Sequence, residues 1–317
     1  MTSADVGPRR SAPATRVLQV GEIDLPTTLQ MIGIYSSDPT FRTGPGSFAK
    51  AVLTPDGPGT IHLAWDRTGR VEVSAWGSGA AWLLERSPAW VGLTDDVSGF
   101  DPSPNRRVRD LWRRHAGIRL PASGVIWQEL VLVLLGQRVT TREAARSWNR
   151  LCRTWGEPAP GPVDLLLPPP PEVVAALSYV DLHTLNVDRR RADAILLAAR
   201  RASRLEEAAA MSTPDAITRL SALPGLGVWT ATATVLASHG DPDTVLLRDY
   251  GMPTLVNYAF TGDATHLDPD RGGDEIMLGH LEPWRGHRQR IIRLLYAARI
   301  TAPRRGARRA NPDIRTM

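Results

Sequence analysis

The chain has 317 residues, 42% of them hydrophobic, and a formal net charge of +5, the make-up of a globular protein with room for two ordinary domains. Its longest apolar stretch, near residues 125–135, is broken by Gln128 and Glu129 and is too short and too polar to cross a bilayer. The single cysteine, Cys152, excludes a disulfide framework, a thiolate zinc site and an iron–sulphur cluster, each of which needs several thiolates.

Residues 1–16 carry three arginines against one aspartate and residues 301–317 carry five against one, so the two tails hold +2 and +4 of the charge and leave the body near −1. Both tails are expected to be disordered, either simply solvated or adding sequence-independent attraction to phosphates. Residues 4–14 are polar and proline-rich, not a cleavable signal, which points to the cytoplasm. Residues 17–117 read as a small antiparallel-sheet domain: strands at 48–54, 61–65 and 71–76, turns at 56–57 and 66–69, and short helices at 80–85 and 107–114. From residue 118 to 300 the pattern is helical. The segment 127–135 is apolar on most faces, and 141–155 is amphipathic with Ala144, Ala145, Trp148 and Leu151 on one side. After a rigid break at 168–171 come helices at 171–177, 188–202 and 213–220, the last with Thr213 as its cap and Pro214 in its first turn. The fold class is therefore α+β, a sheet domain followed by a helical body.

Leu223-Pro224-Gly225-Leu226-Gly227 stands between two helical segments. Proline ends the incoming helix, and the two glycines are expected to take conformations closed to residues with a Cβ. The helix that follows presents unpaired N–H groups and the positive end of its dipole, which suits a phosphate. Twenty-two residues after Gly227 comes Asp249, either the cap of a helix through Leu255 and Tyr258 or a carboxylate for chemistry, and both roles are compatible.

In this order along the chain, Leu134-Leu-Gly-Gln137-Arg138, the helix at 189–198, Leu223 to Ala231, the interval to Asp249 and Pro283-Trp284-Arg285 resemble the helix-hairpin-helix (HhH-GPD) DNA glycosylase superfamily, in its 3-methyladenine DNA glycosylase II-like branch. The resemblance covers roughly residues 17 to 300. It implies a TBP-like sheet domain before an all-helical glycosylase body, and an enzyme that hydrolyses the N-glycosidic bond of a damaged, alkylated or otherwise modified base in duplex DNA. Asp249 is the implied catalytic carboxylate, stabilising positive charge on the sugar and steering water. Gly225, Gly227, Gln137, Arg138 and Thr230 are the implied DNA contacts. Arg138 stands where the branch places the apolar residue that fills the gap left by the extruded base, its bland alternative being a solvent-facing loop arginine. Trp229, Tyr250 and Arg293 are the implied base pocket, although Trp229 and Tyr250 also read as ordinary packing residues.

The departures are informative. Lys50, the only lysine, lies in the sheet domain, and Val228 and Trp229 open the helix after the hairpin, so lysine-dependent strand cleavage is not expected. Of three aromatic pocket positions that the branch implies, Trp229 is kept, while Ala233 and Arg293 replace the other two; a guanidinium there repels a cationic base and donates to a carbonyl. No cofactor and no metal in the chemical step are implied, though a monovalent cation on the hairpin carbonyls is. The expected partner is damaged double-stranded DNA, with no membrane, and the expected state is a monomer at the nucleoid. The alternative is a non-catalytic protein that binds DNA or senses its structure.

Overall fold

The computed structural model describes residues 12–32 and 37–303. The basic tails expected at 1–16 and 301–317 lie largely outside them, and strand β1 begins at Ala14, inside the stretch read as N-terminal tail.

Five antiparallel strands form one sheet: β1 (Ala14–Gln19), β2 (Phe41–Gly44), β3 (Ser47–Thr54), β4 (Gly57–Trp65) and β5 (Arg70–Trp76), in the order β1-β5-β4-β3-β2. The three strands expected from alternation are the central ones. The two unexpected ones are the edges: β2 has only four residues, and β1 buries Leu18 but leaves most of its neighbours exposed. Phe48, Val52, Ile61, Leu63, Val71 and Val73 pack one face against α1 (Leu25–Leu29) and α2 (Ala80–Trp90).

The body holds α3 (Arg106–His115), α4 (Trp127–Gly136), α5 (Thr141–Trp155), α6 (Pro171–Ala175), α7 (Tyr179–His183), α8 (Arg189–Arg200), α9 (Ala202–Glu206), α10 (Thr213–Ser221), α11 (Val228–His239), α12 (Met252–Thr261), α13 (Gly273–Leu281) and α14 (Arg288–Ala297). Several starts are fixed by side chains. Thr140 and Glu143 make a reciprocal capping box on α5, and Glu206 accepts from Ile126 N and Trp127 N at 2.8 and 2.9 Å, satisfying first-turn donors of α4. The cap of α10 is Ser212, not Thr213, because it is the Ser212 hydroxyl that accepts from Asp215 N.

Two helical cores result. One gathers α4, α5, α8, α10 and α11 around Leu130, Trp148, Ile195 and Val235; the other gathers α12, α13 and α14 around Val256, Met277, Leu281 and Ile292. Val108 and Leu111 of α3 belong to the second core, so a division at residue 117 cuts across packed side chains. A buried bidentate pair, Arg290 on Asp95 at 2.7 and 2.6 Å, ties α14 to the segment after α2.

Candidate active site

The site lies where the two helical cores meet, between α11 and the turn that starts α12. Leu226 N donates to Leu223 O at 3.0 Å, closing the hairpin, and Ala231 N, bonded to Gly227 O at 3.0 Å, follows the first-turn N–H groups of Val228, Trp229 and Thr230. The glycines differ. Gly225 has φ +88°, which requires glycine, and an added Cβ would come within 3.2 Å of Ala194 Cβ. Gly227 has φ −72° and ψ 168°, open to any residue, and a Cβ there would meet nothing within 4 Å. The expectation that both need unusual backbone is thus corrected: Gly225 makes the turn, and Gly227 keeps the surface before the helix bare.

Asp249 divides its two oxygens between the roles considered for it. Oδ1 accepts from Gly251 N and Met252 N, both at 2.9 Å, and so caps α12, whose N-cap residue Gly251 has no side chain to do so. Oδ2 accepts from the Trp229 indole Nε1–H at 3.2 Å, which brings the expected carboxylate and the expected pocket tryptophan into contact. Arg248, just before it, has φ +59° and is held by its N–H on Asp274 Oδ2 at 2.9 Å and by its guanidinium on Asp270 at 2.9 Å. Arg138 has φ +56°, so two of the four described non-glycine residues with positive φ adjoin Asp249 and Gln137. Backbone held in that region costs on the order of 1–3 kcal/mol and persists where surrounding contacts enforce it.

Gln137 Nε2 donates to Thr230 Oγ1 at 2.7 Å, joining the turn after α4 to the first turn of α11. Thr230 is only 3% exposed, so its side chain braces this junction from beneath, and what it can offer outward is its backbone N–H. Tyr250, next to Asp249 in the chain, is 77% exposed, with its ring 4.5 Å from that of His266. Arg293, on α14, lines a narrow crevice with Leu236 and Ala237 near the end of α11 and with Gly240 just after it. Burial lowers its proton affinity below the ordinary arginine value. Tyr296, on the same helix, was missed by the sequence reading: it is 47% exposed, its hydroxyl lies 3.7 Å from Met252 Sδ, and burial raises its phenol above the usual value, with the Asp249 charge adding to the rise and the Arg293 charge opposing it. The available signal was its position three residues after Arg293, on the same helical face. Also missed was a stripe on α5: Arg142, Arg146 and Arg150 follow at four-residue intervals after Arg138, and among the described residues none of the three forms a salt bridge, whereas Arg189, Arg204 and Arg285 pair with carboxylates three or four residues away.

Among the described residues, no group of three or more His, Cys, Asp or Glu could hold a metal ion, and no helix is long and apolar enough to cross a membrane. No family model matches the chain. It is 30% identical over 150 residues to DNA-3-methyladenine glycosylase 2 of Escherichia coli (strain K12), covering 46% of this chain and 51% of that one. It is 24% identical over 178 residues to a Bacillus subtilis (strain 168) protein with the provisional name DNA-3-methyladenine glycosylase, covering 55% and 59%. The chain thus matches little more than half the length of either relative. Its fold is that of the 3-methyladenine DNA glycosylase from Archaeoglobus fulgidus, with a TM-score of 0.71, 14% identity, and coverage of 90% of this chain and 98% of the other. The chain thus shares the fold of that archaeal glycosylase, and over about half its length its sequence is similar to 3-methyladenine DNA glycosylases.

Proposed function

We propose that this protein is a monofunctional DNA glycosylase that removes damaged bases from duplex DNA in base excision repair. The observation that carries the reading is the Asp249 carboxylate, fixed through Oδ1 at the start of α12 while Oδ2 faces the Trp229 indole beside the hairpin. As the C1′–N bond lengthens, positive charge grows on the sugar and the base departs with the bonding electron pair. A fixed carboxylate stabilises that charge and orients a water toward C1′; the new C1′–O bond forms, and the water proton passes to the carboxylate or the departing base. Preorganisation matters here because a group already held in place needs no reorganisation during the reaction.

Binding would use the first-turn N–H groups of Val228 to Thr230 for a backbone phosphate, Gln137 and Arg138 at the extruded base, and the α5 arginines as a continuation of the same cationic side. A monovalent cation suits the hairpin oxygens that take no backbone bond among the described residues, those of Gly225 and Leu226, where it would add positive charge at the phosphate. The protein would act as a monomer in the cytoplasm, at the nucleoid, without another cofactor. Strand cleavage through a lysine is not part of the reading. Lys50 is 1% exposed, and its Nζ donates to Ile32 O at 3.0 Å beneath the sheet.

Duplexes carrying methylated, deaminated, ethenylated or oxidised bases, incubated with the protein and then treated with alkali, test this. Breaks that appear only after alkali are expected for at least one lesion. Tight binding with no release from any lesion would favour a non-catalytic DNA-sensing protein instead, and breaks without alkali would contradict the lysine argument.

A further inference from the structure

We infer that Asp274 is a positioning residue for the candidate catalytic carboxylate, acting on Asp249 through the backbone of Arg248. This rests on the glycosylase reading and deepens it. The Asp249 cap on Gly251 N and Met252 N ties that side chain to the helix that follows, and leaves the direction of the chain before it to be set by something else. Val245 is buried in the core of α12 to α14, and between it and Asp249 the chain turns through Arg248, whose φ of +59° lies in the left-handed region. That region favours glycine over any residue with a Cβ, so neighbouring contacts must enforce it. Among the described residues two polar contacts reach Arg248. Its guanidinium meets Asp270 at 2.9 Å, but the two side chains are 70% and 64% exposed, and a screened surface pair holds little. Its N–H donates to Asp274 Oδ2 at 2.9 Å, and Asp274 is 9% exposed.

Asp274 stands in the first turn of α13, yet among the described residues it accepts from no N–H of that helix. Its one hydrogen bond goes to Arg248, 26 residues earlier, and its Oδ1 is buried with no partner. A buried carboxyl oxygen left unpaired costs stability, which an apolar residue at this position would avoid. The bland alternative, an acid that only favours the positive end of α13, is already served by Glu275 beside it. The bond is also firmly mounted. Met277 and Leu281 of α13 share one core with Val256 of α12, so donor and acceptor are carried by the same packed body. Leu267 N donates to Thr254 Oγ1 at 3.0 Å and the His266 ring lies against that of Tyr250, so the connection from α12 to α13 runs beside the same turn. Held in this way, Arg248 fixes where Asp249 enters the site, and Oδ2 meets the Trp229 indole across the gap between the two helical cores. Relaxation of Arg248 to an ordinary helical φ would rotate the chain by roughly 120° at this residue and carry the carboxylate off that geometry. A misplacement of about 1 Å is enough to cost about a hundredfold in rate.

The test is single-turnover release, at saturating protein, of a lesion that wild type excises, with duplex affinity measured alongside. Asp274→Ala is expected to lower release about tenfold or more while affinity stays within about threefold of wild type. Asp274→Asn keeps an oxygen for the Arg248 N–H and should release base about threefold or more faster than Asp274→Ala. Arg248→Gly added to Asp274→Ala should recover the rate by about threefold or more as well, because glycine enters the left-handed region unaided. A side chain that merely supports α13 would not be rescued from residue 248. With Asp274 intact, Arg248→Val and Arg248→Gly both lack the guanidinium and differ in how readily they take a positive φ, so the valine variant should be about tenfold slower. That pair decides if Asp274→Ala melts below the assay temperature. Release by Asp274→Ala within about threefold of wild type overturns the inference. So does a loss that neither Asp274→Asn nor the double variant relieves, and so do equal rates for Arg248→Val and Arg248→Gly. Each of these leaves the glycosylase reading standing, whereas release of no lesion by wild type overturns that reading and this inference with it.

Discussion

Asp249 illustrates how one side chain serves structure and chemistry through different atoms. Its Oδ1 replaces the cap that Gly251 cannot supply, and that duty locks the rotamer presenting Oδ2 beside Trp229. A second carboxyl, Glu129 on α4, has the opposite character. It is 1% exposed, its Oε1 has no hydrogen-bond partner, and burial raises its pKa above the usual 4.5, with Lys50 opposing and Asp38 reinforcing the rise. The folded state therefore holds this proton more tightly than the unfolded chain. Its contribution to stability is complete below the unfolded value and is lost as pH climbs through the raised folded value. Thermal or denaturant unfolding of wild type and Glu129→Gln should show the variant gaining on wild type as the pH rises above 4.5. An unchanged difference across that range would mean that Glu129 is ionised in the fold.

At the scale of elements, the hairpin separates folding from binding. Gly225→Ala forces a Cβ into positive φ against Ala194 and should lower stability by about 1–2 kcal/mol, read as a fall in melting temperature. Gly227→Ala meets no backbone or packing penalty, so its melting temperature should hold while affinity for duplex DNA falls about tenfold, measured by fluorescence anisotropy, because the methyl intrudes before the helix N-terminus. The reverse pattern would remove the hairpin from the DNA interface. Legibility followed the strength of the local signal. The central strands and the long helices were readable because one buried face imposes a period on the sequence, as in α5 with Ala144, Trp148 and Leu151. The edge strands lacked that period: β2 is too short to show one, and β1 is exposed on both faces over most of its length. Helices of five residues, such as α7, gave no pattern to read. At the site, the resemblance singled out Asp249 and Trp229, which the fold brings into contact, whereas Tyr296 carried only the weak signal of its position three residues after Arg293.

Across the whole molecule, two cores and one buried ion pair hold the site's parts in register. The core of α4, α8 and α11 carries the hairpin and Gln137; the core of α12 to α14 carries Asp249, Arg293 and Tyr296; and the Asp95–Arg290 pair fastens the second to the segment leaving the sheet domain. The contacts that cross between the helical cores at the site are few and polar, chiefly Trp229 to Asp249, so the catalytic proposal turns on one carboxylate. Asp249→Asn keeps the oxygen that accepts from Gly251 N and Met252 N while removing the charge. Single-turnover base release by this variant, measured together with its affinity for the same duplex, is the direct test. Release should fall about a thousandfold or more with binding within about threefold of wild type. Release at the wild-type rate would contradict the central role given to Asp249, and a loss of binding as large as the loss of release would reduce it to a structural cap.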